Sequence, residues 1–310
     1  MRALAILDDG NPPAVRDVAK PEPGPGEVLV RVRAASINGF DIFVANGYLK
    51  GMMERRFPVV IGKDFAGTVD ALGDGVTDFA VGDRVFGVVT KPFLGDGSFG
   101  EFVSVPVAIG LTRLPDSIDF PTGGALGLAT EAALGAVDAA AFSAGQLVLV
   151  SGATGGVGTQ VLELAVRAGA HVIATAQSDA ERALVTSLGA AETVDYKGDV
   201  AATVLATHPG GVDVALHFAG DPANLITAVK SGGSFVSTLL RSETDIQADN
   251  VTVVKAAASP ARDVLDRAAA NQADGTTHVV IQRTFALADA AEALAAFSAG
   301  TLGKVVIVVD

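Results

Sequence analysis

Residues 147–158 read LVLVSGATGGVG, and this stretch decides how the chain folds. Leu147 to Val150 is an unbroken apolar run, the pattern of a strand buried on both faces, and a helical pattern begins at Thr159 and continues to Ala168. Strand, glycine turn and helix therefore follow one another directly. A side chain at Gly155 or Gly156 would hold an anion away from the backbone. Bare glycine lets amide N–H groups and the positive end of the helix meet a diphosphate. The turn reads as a dinucleotide site, with Ser151, Gly152, Ala153, Thr154, Gly155, Gly156, Val157 and Gly158 as its candidate contacts.

With 310 residues the chain has material for two domains, each with its own core. It contains no cysteine, which excludes disulfides, thiolate catalysis and every cysteine-based zinc site. A formal charge of −13 disfavours nucleic acid, whose phosphates it would repel. The opening MRALAILDDG is too short an apolar run for a signal peptide. Glu131, Asp138 and Gln146 interrupt the alanine-rich stretch near 123–150, so no membrane span is expected. These features lead to the expectation of a soluble cytoplasmic protein.

Residues 1–118 have the texture of a β-rich domain, with short alternating runs such as Val28 to Val32 and Gly67 to Leu72 punctuated by Gly and Pro. From Phe120 strands alternate with helices, as a doubly wound sheet requires. A helix is expected over Ala125 to Val137. Six strands are expected at Leu147–Val150, His171–Thr175, Thr193–Asp195, Val212–His217, Ser234–Thr238 and Val251–Ala256. Further strands are expected at Val279–Phe285 and Val305–Val309, separated by a helix at Leu287–Ala299.

The glycine spacing is not G-x-G-x-x-G. The run Ala153 to Gly158 has the form A-x-x-G-G-V-G, which resembles the zinc-independent quinone oxidoreductases of the medium-chain dehydrogenase/reductase superfamily. PEPGPGEVLVRVRAASIN, the segment 59–87 (VVIGKDFAGTVDALGDGVTDFAVGDRVFG), GSFGEFVSVP at 97–106 and the ending GTLGKVVIVVD carry the same resemblance. The short-chain form G-x-x-x-G-x-G also fits the turn, but those enzymes open with it and need Tyr-x-x-x-Lys. Here nearly 150 residues precede the turn, and neither Tyr48 nor Tyr196 has a lysine four residues on. The resemblance implies an α/β fold: a GroES-like β-rich catalytic domain from 1–118 and 259–310, plus a Rossmann doubly wound parallel sheet from 119–258. It also implies a homodimer. Asp83 and Arg84 read as a structural pair.

Nicotinamide enzymes that take NAD usually place an acid at the end of the second strand, where it holds the adenosine ribose. Here the strand ends at Ala176, and Gln177, Ser178 and Arg182 are candidates to receive a 2′-phosphate. The resemblance implies an aromatic contact from Tyr196 near the adenine and places Thr130 on the helix facing the nicotinamide, while Phe218, Ala219 and Leu239 follow the fourth and fifth strands, whose carboxyl-end loops line a cofactor crevice. NADPH is therefore expected over NADH. Glu181 departs from the lysine common in relatives and, with Asp179, opposes a phosphate there.

In zinc-dependent relatives the metal ligands are Cys, His and a second Cys or Asp. Ser36 stands at the first cysteine position and Lys63 replaces histidine, while His171, His208, His217 and His278 are scattered and read as surface or loop residues. No metal ligand set is expected. Without a Lewis acid, hydride addition to a conjugated acceptor is the easier chemistry, because the developing charge spreads onto a carbonyl oxygen. ASINGFDIFVANGY, residues 35–48, resembles the substrate-pocket segment of quinone oxidoreductases. That resemblance implies that Asn38 positions substrate or nicotinamide, Phe43 forms an apolar wall and Tyr48 hydrogen-bonds the reacting oxygen. Asp41 reads as structural, and Leu49–Arg56 as a loop that covers the pocket or is simply solvated. The expected activity is NADPH-dependent reduction of a small-molecule quinone or enone. Alternatives are a biosynthetic enoyl or ketone reductase, or a nucleotide-binding structural or RNA-binding protein, which the acidic charge disfavours.

Overall fold

The computed structural model describes residues 1–310, which form two compact units. Unit 1 comprises Met1–Ala129, Pro260–Asp274 and Ile281–Asp310; unit 2 comprises Thr130–Ser259 and Gly275–Val280. No helix is long and apolar enough to cross a membrane.

Unit 1 opens with strands β1 (Arg2–Ile6), β2 (Ala14–Asp17) and β3 (Glu27–Ser36), then helix α1 (Gly39–Ala45). Strands β4 (Val59–Val60), β5 (Asp64–Leu72), β6 (Arg84–Val88), β7 (Phe102–Pro106) and β8 (Leu111–Arg113) follow, and then helix α2 (Phe120–Gly123). Strand β3 is the spine: it pairs antiparallel with both β5 and β7. Glycines decide how closely the strands approach. A Cβ on Gly67 would lie 2.9 Å from the carbonyl carbon of Arg31, so no other residue fits there in β5. Leu4, Val30, Ile37, Phe65, Phe99 and Leu111 fill the core, each fully buried side chain contributing roughly 1.5–3 kcal/mol. Asp83 and Arg84 are structural but do not pair with each other. Asp83, in the turn before β6, binds Arg113 at 3.1 Å, and Arg84, the first residue of β6, binds Asp116 at 3.1 Å.

Residues 119–129, expected with the dinucleotide-binding domain, belong to unit 1 instead. Their glycines allow it: a Cβ on Gly124 would lie 2.9 Å from the Ala34 carbonyl carbon, and one on Gly127 would lie 2.8 Å from the Asp64 carboxyl carbon. Helix α3 (Leu128–Ala140) follows, three residues later than the hydrophobic pattern suggests at each end.

Unit 2 alternates β9 (Leu147–Ser151), α4 (Gly156–Arg167), β10 (His171–Thr175), α5 (Asp179–Ser187), β11 (Glu192–Val194), α6 (Val200–Thr207), β12 (Val212–His217), α7 (Pro222–Leu225), β13 (Val229–Ser237) and β14 (Thr252–Lys255). All six strands pair in parallel, in the order β11-β10-β9-β12-β13-β14. Counted along the unit this is 3-2-1-4-5-6, the doubly wound order of dinucleotide-binding sheets. The alternation within β9 builds both faces. Val148 and Val150 pack in one buried cluster with Leu162, while Leu149 packs in the other with Val204 and Phe235.

The chain then returns to unit 1 through α8 (Arg262–Ala273), β15 (Ile281–Ala286), α9 (Ala290–Ser298) and β16 (Lys304–Val308). Strand β16 pairs antiparallel with the end of β3, setting Val306 opposite Ser36. That pairing carries Lys304, the first residue of β16, toward the segment around Asn38.

Candidate functional site

In unit 2 the glycine turn joins β9 to α4 as its sequence suggests. Gly152 takes φ +77°, a conformation that favours glycine, and a Cβ on Gly158 would lie 2.7 Å from the Cα of Ala153. Gly155 is the N-cap of α4, and no side chain caps the helix. Helices α5, α6 and α7, by contrast, are capped by Ser178, Asp199 and Asp221. The first amides of α4 thus have no intrahelical acceptor and no side-chain partner, and a Cβ on Gly155 would meet only the Gly152 oxygen, at 3.5 Å. Uncapped amides reached over a bare glycine fit a diphosphate.

The turn is tied to the neighbouring strand by the Gly152 amide, which donates to Thr175 Oγ1 at 3.0 Å. Ser151 donates to the Ala219 carbonyl at 2.6 Å, which joins the carboxyl ends of β9 and β12. Beside them lies a recess of about 260 Å³ lined by Ser151, Tyr196, Gly220, Asp221 and Asn224, among others. Two expected cofactor contacts, Ser151 and Tyr196, therefore share one recess. Thr130 is buried and accepts from Gln160 Nε2 at 2.9 Å, so it couples α3 to α4. Leu239 is exposed, and its amide donates to Ser237 Oγ at 3.0 Å.

His217 is not a surface residue: it is buried at the end of β12, where its Nδ1 meets Ser237 Oγ at 2.9 Å and its Nε2 meets the Gly220 carbonyl at 3.2 Å. Burial lowers its pKa, which favours the neutral ring. It fixes the loop carrying Phe218 and Ala219.

The residues expected to receive a 2′-phosphate are otherwise engaged. Glu181 folds back from the first turn of α5, and its Oε2 accepts from the amides of Gln177 at 2.8 Å and Ser178 at 2.6 Å. Its Oε1 accepts from Tyr196 Oη at 3.0 Å. Burial opposes the charged form of Glu181, but those donors outweigh it and hold the pKa below the usual glutamate value. Arg182 lies along the helix toward Asp179, at 3.8 Å. The amides of Gln177 and Ser178, expected at a 2′-phosphate site, thus carry the Glu181 carboxylate, whose charge opposes a second anion there.

In unit 1 the chemistry is built from side chains. Asp64, fully buried at the start of β5, accepts through Oδ2 from Ser36 Oγ at 2.6 Å and from Asn38 Nδ2 at 2.9 Å. Lys304 Nζ lies 3.4 Å from the same oxygen and donates to Asn38 Oδ1 at 2.6 Å and to the Ile37 carbonyl at 3.2 Å. Asp64 Oδ1 accepts from the Leu128 amide at 2.8 Å. Four separated segments therefore meet at one buried ion pair. Both ends of the Asn38 amide are used inside this cluster.

Asp41 adds a second buried acid. Its Oδ2 accepts from the Asn38 amide at 2.8 Å as part of the start of α1, while its Oδ1 has no hydrogen-bond partner. Burial, then the negative charge of Asp64, push its pKa up to about 7, against the opposing pull of the Asn38 amide, Lys304 and Lys63. Lys63 donates to the Val89 carbonyl at 2.7 Å and lies over the Phe40 ring. Phe43 and Tyr48, on and just after α1, are 51% and 66% exposed and stack edge to face with centroids 6.0 Å apart. In the loop that follows, Lys50 and Arg55 both pair with Asp9, while Met52 stands out in solvent.

The chain matches known proteins. Residues 24–116 match the alcohol dehydrogenase GroES-like domain, and residues 156–259 match the zinc-binding dehydrogenase domain. The quinone oxidoreductase of Rattus norvegicus is 31% identical over 254 residues, which cover 79% of this chain and 75% of that one. The chain belongs to the quinone oxidoreductase-like family of the medium-chain dehydrogenase/reductase superfamily. A mycocerosic acid synthase-like polyketide synthase of Mycolicibacterium smegmatis is 37% identical over 232 residues; the match covers 73% of this chain but spans only 10% of that protein's length. A dehydrogenase structure from Sinorhizobium meliloti 1021 bound to NADP superposes with a TM-score of 0.84 at 27% identity, covering 99% of this chain and 98% of that one.

Two residues of the buried cluster in this quinone oxidoreductase-like chain carry little signal in the sequence. Asp64 was visible only as part of Gly62-Lys63-Asp64, and Lys304 only as part of a typical ending. A lysine inside an apolar strand pattern, KVVIV, is the one signal that could have flagged it, since lysine is seldom buried without a partner.

Proposed function

We propose that this chain is a nicotinamide-dependent reductase that delivers hydride to a conjugated acceptor, a quinone or an α,β-unsaturated carbonyl. The observation that carries this reading is the buried Lys304–Asp64 pair. Zinc relatives stabilise an alkoxide with a metal, whereas here Ser36, Asn38 and the ammonium of Lys304 already engage the carboxylate. An acceptor that spreads charge onto its own oxygen needs no such metal. A nicotinamide dinucleotide supplies the hydride when bound, and the amides of the Gly152–Gly158 turn are the groups that would hold it.

The side chains of unit 1 then have separate tasks. Tyr48 Oη, exposed, donates a hydrogen bond to the acceptor oxygen as negative charge develops there, and solvent supplies the proton that completes the reduction. Phe43, packed against Tyr48, offers a flat apolar wall to a planar acceptor. Asn38 is a positioning residue, since its amide is spent on Asp64 and Lys304. Sequence alone favours NADPH, but the carboxylate of Glu181 on the strand-tip amides speaks against a 2′-phosphate. Pairing of two copies along the β14 edge is the proposed assembly, which measurement of molar mass by sedimentation in solution tests.

The reading is tested by following oxidation of the reduced nucleotide with a panel of quinones, enones, simple ketones and, in reverse, alcohols. Turnover confined to conjugated acceptors supports it; equal turnover of simple ketones or alcohols overturns it. A second reading, reduction of an enoyl thioester, is favoured by the 37% likeness to part of a polyketide synthase. Enoyl thioesters in the same panel separate the two, because a quinone reductase gains nothing from the acyl carrier portion.

A further inference from the structure

We infer that Glu181 sets the choice of dinucleotide, making this chain select NADH over NADPH by placing a carboxylate where the adenosine ribose hydroxyls arrive. The inference rests on the reading of the glycine turn as a dinucleotide site. It concerns a position at which the sequence alone points the other way.

In doubly wound sheets that take NAD, the acid that receives the ribose hydroxyls sits at the end of the second strand. Strand β10 ends at Thr175 with the apolar Ala176 after it, so the sequence has no acid at that place. The fold supplies one from five residues further on. Glu181 is the third residue of α5, and the helix turn brings its carboxylate back onto the amides of Gln177 and Ser178, the first residues beyond Ala176. The strand tip is in turn bound to the glycine turn through Gly152 N and Thr175 Oγ1, so the carboxylate and the diphosphate cradle belong to one site.

Both halves of the selectivity follow from that placement. An ionised carboxylate can accept from the ribose 2′-hydroxyl of NADH. A 2′-phosphate brings close to two further negative charges and no donor, and the backbone amides that could hold it are already taken. Tyr196, the aromatic residue of the recess, donates its hydroxyl to Glu181 and so is also engaged. Of the other charges nearby, Arg182 leans to Asp179, and Lys197, the cation that follows Tyr196, sits in a turn whose amide donates to Asp195 Oδ1 at 2.9 Å, so an acid accompanies each cation.

A purely structural role for Glu181 exists, since Ser178 and Glu181 form a reciprocal capping box. Glutamine serves that cap as well as glutamate, which makes Glu181→Gln a clean probe of charge. The test is calorimetric titration of the parent, Glu181→Gln and Glu181→Lys with NADH and NADPH, with adenosine 2′,5′-bisphosphate against AMP as probes of the ribose end alone. Thermal unfolding of each variant serves as the control for folding. The parent is expected to bind NADH about tenfold or more tightly than NADPH, Glu181→Gln to lose about tenfold of that ratio, and Glu181→Lys to prefer NADPH. NADPH bound as tightly as NADH by the parent overturns the inference and leaves the dinucleotide site standing, as does a ratio unchanged in Glu181→Gln. Failure of the parent to bind either nucleotide overturns the dinucleotide reading and this inference with it.

Discussion

The glycine turn of unit 2 and the Asp64 cluster of unit 1 present polar groups able to meet charge, by opposite means. The turn does so with backbone: contiguous residues, no side chain at the decisive positions, and amides left uncapped at the start of α4. The cluster does so with side chains drawn from β3, the segment before α1, β5 and β16, which lie up to 268 residues apart, as Ser36 and Lys304 do. A backbone device survives as a local pattern in the sequence, whereas a side-chain device exists only once the strands have paired.

The comparison breaks most sharply at Gly158. A methyl group there would press on Gly152 and Ala153, so Gly158→Ala should unfold unit 2 or cost it several kcal/mol. Gly155→Ala meets only one atom, at 3.5 Å, and should keep the melting temperature while losing most dinucleotide affinity. Equal effects of the two changes on melting would show that the turn is scaffold and not cradle.

The cluster responds to loss of one partner rather than to crowding. Lys304→Met leaves Asp64 buried without its cation and should cost about 3–5 kcal/mol in denaturant unfolding. A double variant, Lys304→Met with Asp64→Asn, should recover part of that loss, and no recovery would mean that the two residues do not act as a pair.

Asp41 gives a smaller, pH-dependent effect. Its raised pKa means that the folded state favours the protonated acid. That contribution is complete below the ordinary aspartate value of 3.8 and is lost as pH climbs through about 7. Asp41→Asn, which cannot ionise, should therefore gain stability relative to the parent as pH rises from 5 to 8, by on the order of 1 kcal/mol per pH unit before levelling. A stability difference that does not vary with pH would show that Asp41 does not titrate in this range.

The smallest effect is expected at Tyr48. Tyr48→Phe should lower turnover of a quinone by about tenfold, less than a fully enclosed oxyanion donor because the hydroxyl is exposed. Dinucleotide affinity, measured by titration, should stay the same. Unchanged turnover would remove Tyr48 from the reaction.

Much of the fold was legible because apolar periodicity and glycine report local geometry. Five of the six strands of the parallel sheet start within one residue of where the apolar runs place them; β13 begins five residues earlier, at Val229, which pairs with Val212 before a register shift carries the ladder on to Ser234. The candidate site was legible in part. Ser151 and Tyr196 line one recess, the amides of Gln177 and Ser178 carry the Glu181 carboxylate, and His217 is an internal brace and not a surface residue.

By itself the sequence determined the alternation of strands and helices, the uncapped glycine turn and the absence of thiol chemistry, since each depends on residue type and on neighbours a few positions away. Tertiary structure alone decided that Lys304 pairs with Asp64, that Asp41 sits deep enough for burial to raise its pKa, and that Glu181 reaches the tip of β10. Those outcomes depend on distances between residues remote in the chain or folded back by a helix turn, and on how much water is excluded around them. Spacing along a chain encodes neither.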